Sequence, residues 1–572
     1  MKVSDYIVEF LIENGVNHVF GYPGGMVTHL LESFSKYSNY IQVHTNYHEQ
    51  ASSFAANGYA QASEKLGVAY SSSGPGVTNM ITGICNAYFD SIPVLFLTGQ
   101  VNTYESKGSL PVRQRGFQET DIIPLVNSIT KYCSYIDHET KIRYELEKAF
   151  HLAMEGRKGP VLLDIPMNIQ RMEIAPEKLI GFCPPPEIKK EVDITPIIDA
   201  LNKSHRPVIL IGAGTKIFSI RKLVNELVAK SGIPAVSSMI AMDVIPDAEE
   251  SYYGFLGAYG SRTANFIVAK SDLILSICSR LDVRQVGGKR ENFAPNAQII
   301  RIDIDEGELA YSVNDRELKI LGDAEEILLR LCKENICTKN KIRDWLSVCE
   351  EIKKTLKNVD QEIPNKLVEK ISKLVPSDYT ITTDVGQNQV WIAQSFITHA
   401  NQKVLFSGGL GTMGYSLPAA IGAYYGSQNP VVSFHGDGGL QMNIQELQFI
   451  VREKLPIAII LFNNHALGMI RHFQEMYFDS NYMQTVDGNG YEAPNFKKIA
   501  NAYGLEYYAM CPSDTSALKK FEDTMKELKA PVFWEIMLDF PTHVFPKLEY
   551  GKPNQDQEPL IERDTFKRLM NL

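Results

Sequence analysis

The chain alternates short, continuously apolar runs with longer stretches whose apolar residues recur at helical spacing, and it does so in three successive blocks. GVAYSSSGPG, PVILIGAG and PVVSFHGDGG each close an apolar run on glycine, and a helical pattern follows each. Apolar runs of roughly four to eight residues bounded by turn signals suit strands buried on both faces, and their alternation with helices implies parallel sheets. The pattern predicts an α/β protein of three doubly wound parallel-sheet domains at 1–170, 190–335 and 365–545, followed by a tail at 546–572. Two seams separate the blocks. Ala175 to Glu191 contains CPPPEIKKE, and successive prolines continue neither a helix nor a central strand. The lysine- and glutamate-rich stretch from Lys333 to Lys366 reads as a charged helix between domains.

The clearest unit spans residues 431–469. Val431 to Phe434 predicts a buried strand, Asn443 to Arg452 an amphipathic helix, and Ile457 to Phe462 a second strand. Such a βαβ crossover brings both strand ends to one sheet edge, so Asp437, in GDGG, and Asn464, 27 residues later, should meet in space. One carboxylate, one amide oxygen, backbone carbonyls and phosphate oxygens make the all-oxygen shell that Mg2+ takes. The glycines beside the aspartate would let a diphosphate approach a helix start. Taken alone, GDGG also reads as an exposed turn; the Asn463–Asn464 pair favours the clamp.

Composition narrows the rest. At 572 residues, with 44% hydrophobic and 22% charged residues, this is an ordinary globular composition. A net charge of −10 offers no footprint for nucleic acid. No run of 18 apolar residues occurs, so no membrane span is expected. The start, MKVSDYIVEFLIENGV, reads as an amphipathic helix capped near Ser4 rather than a signal peptide, which favours the cytoplasm. Eight cysteines show no metal spacing and should be reduced, mostly buried thiols.

The GDGG-to-Asn464 spacing resembles the thiamin diphosphate motif of the pyruvate-oxidase-like enzymes. That resemblance implies Asp437 and Asn464 as Mg2+ ligands, with the Ala466 carbonyl as a third. Glu49 opens a helix in NYHEQASSFAANGYA, where a glutamate is also a good dipole partner. In the family, a glutamate in this HEQ-type segment bonds the aminopyrimidine ring nitrogen and lets the cofactor remove its own thiazolium proton.

Over nearly its whole length the chain is similar to acetolactate synthase catalytic subunits. GYPGGM at 21–26, SGPGVTNMITGICNAYFDSIPVLFLTGQV at 73–101, GFQETD at 116–121 and SGGLGTMGYSLPAAIGA at 407–423 carry the likeness. It implies that Met413, in GTMG with Gly411, props the cofactor into its bent shape. Val385, Gly386, Gln387 and Asn388, with Gly438 and Gly439, would hold the diphosphate. The family usually has histidine where this chain has Asn388, whose amide can still donate to phosphate. Phe117 and Gln118 would flank the reacting centre, Gln118 donating to a developing oxyanion; as a plain loop anchor Gln118 would need no such role.

In the middle block, CSRLDVRQVG at 278–287 and RIDID at 301–305 match segments that hold FAD in the relatives. The likeness implies FAD contacts from Gly212, Gly214, Met239, Gly257, Arg280, Asp282, Arg284, Asp303 and Asp323. Because the expected reaction is non-redox, the flavin would be structural or a relic. Glycine after a strand admits a pyrophosphate and arginine pairs with phosphate, although GAG alone is a weak sign. Arg284 also matches an arginine that can receive a substrate carboxylate.

The resemblance implies decarboxylation of pyruvate and transfer of its two-carbon hydroxyethyl unit to a second 2-oxo acid, in a homodimer or tetramer whose sites lie between chains. His48 and His435 read as packing or supporting residues. The departures cluster on the acceptor side, near Gly25. Met26 replaces a small alanine, Phe473 replaces a tryptophan, and VNTYESKGSLPVRQRGFQE carries extra residues including Lys107, Arg113 and Arg115. The tail PTHVFPKLEYGKPNQDQEPLIERDTF is similar to synthase-like proteins of surface-polysaccharide pathways. A keto sugar carried on a nucleotide is therefore an alternative acceptor, and an oxalyl-CoA-type decarboxylase a lesser one. A dehydrogenase lacks its GxGxxG in context, and a dead relative would have lost Glu49 or the metal pair.

Overall fold

The computed structural model describes residues 1–186, 191–334, 336, 340–357, 359–360 and 362–572. The three apolar-strand blocks form three six-stranded sheets whose neighbouring strands all pair in parallel. The first is built from His18–Gly21, Gln42–Thr45, Gly67–Ser71, Val94–Gln100, Tyr132–Tyr135 and Val161–Pro166, in the spatial order second, first, third, fourth, sixth, fifth. The third, from Thr380–Thr383, Val404–Leu405, Val431–Gly436, Ile457–Asn463, Glu506–Met510 and Val532–Met537, repeats that order. The middle sheet runs sixth, fifth, fourth, first, second, third from Pro207–Ile211, Ala235–Ser237, Tyr252–Phe255, Leu273–Ile277, Gln298–Asp303 and Glu317–Leu321. Central strands such as Val94–Gln100 and Ile457–Asn463 are buried along their whole length, as helices on both faces demand. In each sheet the winding reverses between two neighbouring strands, and the crevice at their carboxyl ends is where ligands bind in such folds.

The first and third sheets meet through the helices Glu49–Ser63 and Ser416–Ser427. Both are rich in alanine and glycine, so their backbones approach closely. A Cβ on Gly422 would collide with the Ala55 carbonyl, and one on Gly58 with that of Ala419.

Several expectations change. The first helix is Val3–Glu13; Ser4 lies inside it, fully buried, and accepts from Ser33 Oγ at 2.8 Å instead of capping. Asn443 stands outside the helix that follows, Glu446–Arg452, because its amide donates to the Gly414 carbonyl at 2.9 Å. The charged stretch between domains becomes the helix Arg343–Leu356. Its face of Trp345, Cys349, Ile352 and Leu356 joins the middle core, so it belongs to that unit. The tail docks there too, with Phe566 against Phe266 and Leu569 buried. Of the seven described cysteines, all free, Cys332 and Cys349 are buried, while Cys183 in the proline-rich seam and Cys511 are exposed; Cys337 lies outside the described residues. No helix among the described residues is long and apolar enough to cross a membrane.

Candidate active site

At the winding reversal of the third sheet, Thr383 pairs with Phe434, so the turns that follow both strands lie side by side. After Val431–Gly436 comes Asp437, whose Oδ1 accepts from Gly438 N at 2.9 Å and Oδ2 from Ala466 N at 3.1 Å. The neighbouring strand thus delivers Asn464 and Ala466 to the same place. Ala466 here contributes its N–H to the aspartate. Burial pushes the Asp437 carboxyl up to about 6, against the pull of those two N–H groups.

Asn464 is fixed by a set of bonds that spacing did not reveal. Its Nδ2 donates to Gln387 Oε1 at 2.9 Å and to Thr542 Oγ1 at 2.7 Å, while Thr542 Oγ1 donates to Gln387 Oε1 and Gln387 Nε2 to the Thr542 carbonyl. Both amide hydrogens are used, so the oxygen is the end left for a cation. Gln387, expected at the diphosphate, therefore holds Asn464 with its side chain. Asn388 is buried, and one of its N–H groups goes to the Asp384 carbonyl at 2.8 Å.

Met413 closes over the turn: a Cβ on Gly438 would lie 3.2 Å from Met413 Cε, 2.5 Å from Leu467 Cδ2 and 3.6 Å from the Tyr491 hydroxyl. That hydroxyl is buried without a hydrogen-bond partner. Val385 and Gly386 lead into the helix Gln387–Ser395, Gly386 at φ 153°, a conformation that favours glycine. Gly439 packs against Asp384, and Gly411, at φ 71°, borders open space.

Across the seam, His48 caps the helix that Glu49 opens, accepting from Gln50 N at 3.1 Å. The Glu49 carboxylate accepts from Asn79 Nδ2 at 3.0 Å, a bond inside its own domain. Residues 46–50 are tied to the third domain of the same chain: Asn443 Nδ2 donates to Gln50 Oε1, and buried Glu446 accepts from Asn46 Nδ2 at 2.9 Å and Tyr47 N at 2.7 Å. Gln118, at φ 63°, packs on Gly74 at the head of the helix that carries Asn79, and Phe117 is 80% exposed. Gly25 and Met26 form a turn at the same sheet edge, the Met26 carbonyl accepting from Gln170 Nε2 at 2.8 Å. Phe473 projects half-exposed from the helix Gly468–Tyr477.

In the middle domain Gly212 follows one strand at the winding reversal and Cys278 follows its neighbour, with Gly214, Met239, Arg280, Asp303 and Asp323 along the same edge. A Cβ on Gly212 would strike the Cys278 carbonyl, and one on Gly257 the Arg284 carbonyl, so both glycines serve close chain packing. Asp282 caps the short helix bearing Arg284 and lies 3.3 Å from Arg280; Asp323 caps the helix Ala324–Leu331. Burial raises the Asp303 carboxyl.

Three family models match in chain order: the thiamine pyrophosphate enzyme N-terminal TPP binding domain at residues 1–125, the central domain at 194–331 and the C-terminal TPP binding domain at 384–536. The acetolactate synthase large subunit of Lactococcus lactis is 33% identical over 560 residues, spanning 96% of this chain and 94% of the relative. Isozyme 2 of Escherichia coli is 32% identical over 563 residues (97% and 99%), and the chloroplastic acetolactate synthase 2 of Nicotiana tabacum 34% over 582 residues (97% and 85%). The chain belongs to the acetolactate synthase family. It is a thiamine diphosphate-dependent transferase of acetolactate synthase type.

The residues present fit the cofactors such an acetolactate synthase-type enzyme would hold. The Tyr491 hydroxyl, buried beside Gly438, makes no hydrogen bond of normal geometry and lies within electrostatic reach of Asp437, so it can donate to a phosphate oxygen at that turn. Among the described residues no group of three or more His, Cys, Asp or Glu could hold a metal. A cation at Asp437 would thus draw on the Asn464 oxygen and on phosphate oxygens, which is how Mg2+ is usually held. In the middle domain, arginines and carboxylates at the strand ends suit the pyrophosphate and ribose of a dinucleotide.

Sequence reasoning missed the hub of this acetolactate synthase-type site. Asp384 is fully buried, and its Oδ1 accepts from Val385 N and Gly414 N at 2.8 Å each, while Oδ2 lies 3.4 Å from His435 Nδ1. His435 reaches on through Nε2 to Ser433 Oγ at 2.8 Å, in the supporting role expected of it. One carboxylate thereby fixes both the turn at Val385 and the loop of Met413. Glu119 was missed as well. It gathers Ser106 Oγ and the N–H groups of Lys107, Arg115 and Gly116 at 2.6–3.2 Å, shaping the enlarged loop from inside.

Proposed function

We propose that the enzyme decarboxylates pyruvate and transfers the two-carbon hydroxyethyl unit to a second 2-oxo acid, using thiamine diphosphate held through Mg2+. The observation that carries this reading is that Asp437 accepts from Ala466 N, while Asn464, two residues earlier on the same turn, spends both amide hydrogens on Gln387 and Thr542 and keeps its oxygen for a cation. Bound there, thiamine diphosphate would supply the nucleophile and the electron sink that loss of CO2 requires. Asp437, Asn464 and the Ala466 carbonyl would hold the metal, and Met413 would fix the bend of the cofactor. Glu49 would bond the aminopyrimidine nitrogen, with Asn79 steadying its other side. Gln118 would donate an N–H to the developing oxyanion, and Arg284 would hold the second substrate's carboxylate.

One feature supports a site between chains: Phe117 is 80% exposed. A homodimer or a dimer of dimers would bring the Glu49 edge of one chain to the Asp437 edge of another. FAD would lie along Arg280, Asp282, Asp303 and Asp323 of the middle domain in a structural role.

A second reading keeps the donor chemistry and exchanges the acceptor for a keto sugar on a nucleotide. It is favoured by Phe473 and by the Glu119-organised loop at the entrance. Purified protein with thiamine diphosphate, Mg2+ and pyruvate is assayed for CO2 and acetolactate. Acetolactate supports the first reading. CO2 without it, with product restored by a keto sugar, supports the second, and inertness toward pyruvate with activity on oxalyl-CoA removes both.

A further inference from the structure

Lys547, in the tail, is 5% exposed, and among the described residues no carboxylate comes within ion-pair distance of its ammonium. Its Nζ lies 3.2 Å from Met476 Sδ, a weak acceptor, 4.9 Å from the centroid of the Phe473 ring and 5.9 Å from that of Tyr477. Rings offer a cation partial compensation only, and a buried ammonium without an anion is costly. The nearest acid on that helix is engaged elsewhere, since Glu475 binds His543 at 2.8 Å, Arg471 at 3.2 Å and Tyr482 at 3.0 Å. Glu549 is felt by Lys547 only at longer range, and burial pulls the ammonium below its usual value. His472, on the same helix, is held neutral by burial and by Lys547 itself, down to about 4.

The tail is laced to the loop of Arg284. Lys547 N donates to the Glu558 carbonyl and Glu558 N to that of Lys547, Leu548 N donates to the Ala258 carbonyl at 2.7 Å, and Ala258 N to that of Arg284 at 2.8 Å. The Arg284 guanidinium lies 5.7 Å from the centroid of the Tyr259 ring, and Tyr259 is within electrostatic reach of Tyr477, the ring near Lys547. Phe473 and Tyr477 are 48% and 43% exposed, so the rings nearest the lysine themselves reach solvent.

We propose that Lys547 receives an anionic group of the acceptor, so that the natural acceptor bears a phosphoryl or carboxyl group remote from its carbonyl, in addition to whatever Arg284 holds. This rests on the carboligase reading above. The group is a handle only. The new carbon–carbon bond forms at the acceptor's carbonyl carbon, its oxygen takes up a proton, and every bond of the handle survives.

The test uses the holoenzyme with inorganic phosphate and malonate as probes. At least one of them should slow acetolactate formation from pyruvate without reducing the first-turnover burst of CO2, and should raise Tm. In Lys547→Met the inhibition should weaken about tenfold with the burst intact, and Lys547→Arg should restore it. Phosphate acting alone identifies a phosphoryl handle, and malonate alone a carboxyl one. Equal inhibition constants and Tm shifts in wild type and Lys547→Met, or no response of the wild type to either probe, overturn the proposal. Absence of a CO2 burst in the wild type would strike the donor reading instead; Lys547 is then judged from the Tm shifts alone.

Discussion

Asn464 and Gln387 meet at 2.9 Å, amide nitrogen to amide oxygen, and this bond fixes which end of the asparagine amide is left free. A positioning bond of this kind should register in metal affinity before it registers in the fold. Gln387→Leu is expected to raise the Mg2+ half-saturation about 10–100-fold. Activity should recover at high Mg2+, and the circular dichroism of the apoprotein should be unchanged. A variant dead at every Mg2+ concentration would mean that Gln387 does more than orient Asn464.

Glu49→Gln keeps an oxygen for Asn79 to donate to, so the helix start should survive. What disappears is the proton-sharing carboxyl. CO2 release from pyruvate should fall by at least about 100-fold, within the range typical of acid–base groups, while thiamine diphosphate still binds. Retention of more than a tenth of the wild-type rate would remove Glu49 from its proposed role.

Glu446 gives a pH signature. Burial holds its carboxyl up at about 7, against the donors Asn46 and Tyr47 that favour its charged form. A raised carboxyl stabilises the fold fully below the ordinary glutamate value near 4.3 and loses that contribution as pH rises through about 7, roughly 3 kcal/mol in all. Glu446→Gln should abolish this slope. Asn46 Oδ1 is buried without a partner, so the asparagine can turn over and accept from the new amide. Urea unfolding of both proteins from pH 4 to 8 should therefore converge at low pH, with the variant the more stable above pH 7.

Glu119 behaves in the opposite sense. Burial opposes its charge, but the N–H groups of Arg115, Lys107 and Gly116 with the Ser106 hydroxyl outweigh it and lower the carboxyl. Its contribution is fully present above the ordinary glutamate value and is lost as pH falls below that value and through the lowered one. Glu119→Gln would turn an amide nitrogen toward two donors, at about 1–3 kcal/mol. Limited proteolysis should then cut within residues 106–115, and turnover should drop about tenfold as Gln118 loses its frame. An uncut loop would show that other contacts hold it.

Much of this was readable from the residues, for physical reasons that differ by element. The crossover from Val431 to Asn463 was legible because both strands are apolar on two faces and the loop chemistry is local. Asp384 was not, because TTDVG looks like any strand end, and its value depends on Gly414 and His435, which arrive from other strands. The stripe Trp345, Cys349, Ile352 and Leu356 has helical spacing, yet the surrounding lysines and glutamates suggested an exposed connector. Ser4 shows the reverse error: a good capping residue was taken into the interior by Ser33. Lys547 carried no signal in the sequence, because only the path of the tail buries it.

The strand order shared by the first and third sheets makes the chain an internal replica. The helices Glu49–Ser63 and Ser416–Ser427 are equivalent members of the two copies, each leading from second to third strand, and they touch along one glycine-relieved line. Where the third sheet follows its third strand with the acid of GDGG, the first follows its own with Ser72, Ser73 and Gly74; where the first begins its equivalent helix with Glu49, the third begins with Ser416. Under the proposed function the halves divide the labour of one scaffold, the acid of one copy serving the ring and that of the other the metal. Neither is complete without its counterpart, so the two could diverge in sequence but not in the way they pack.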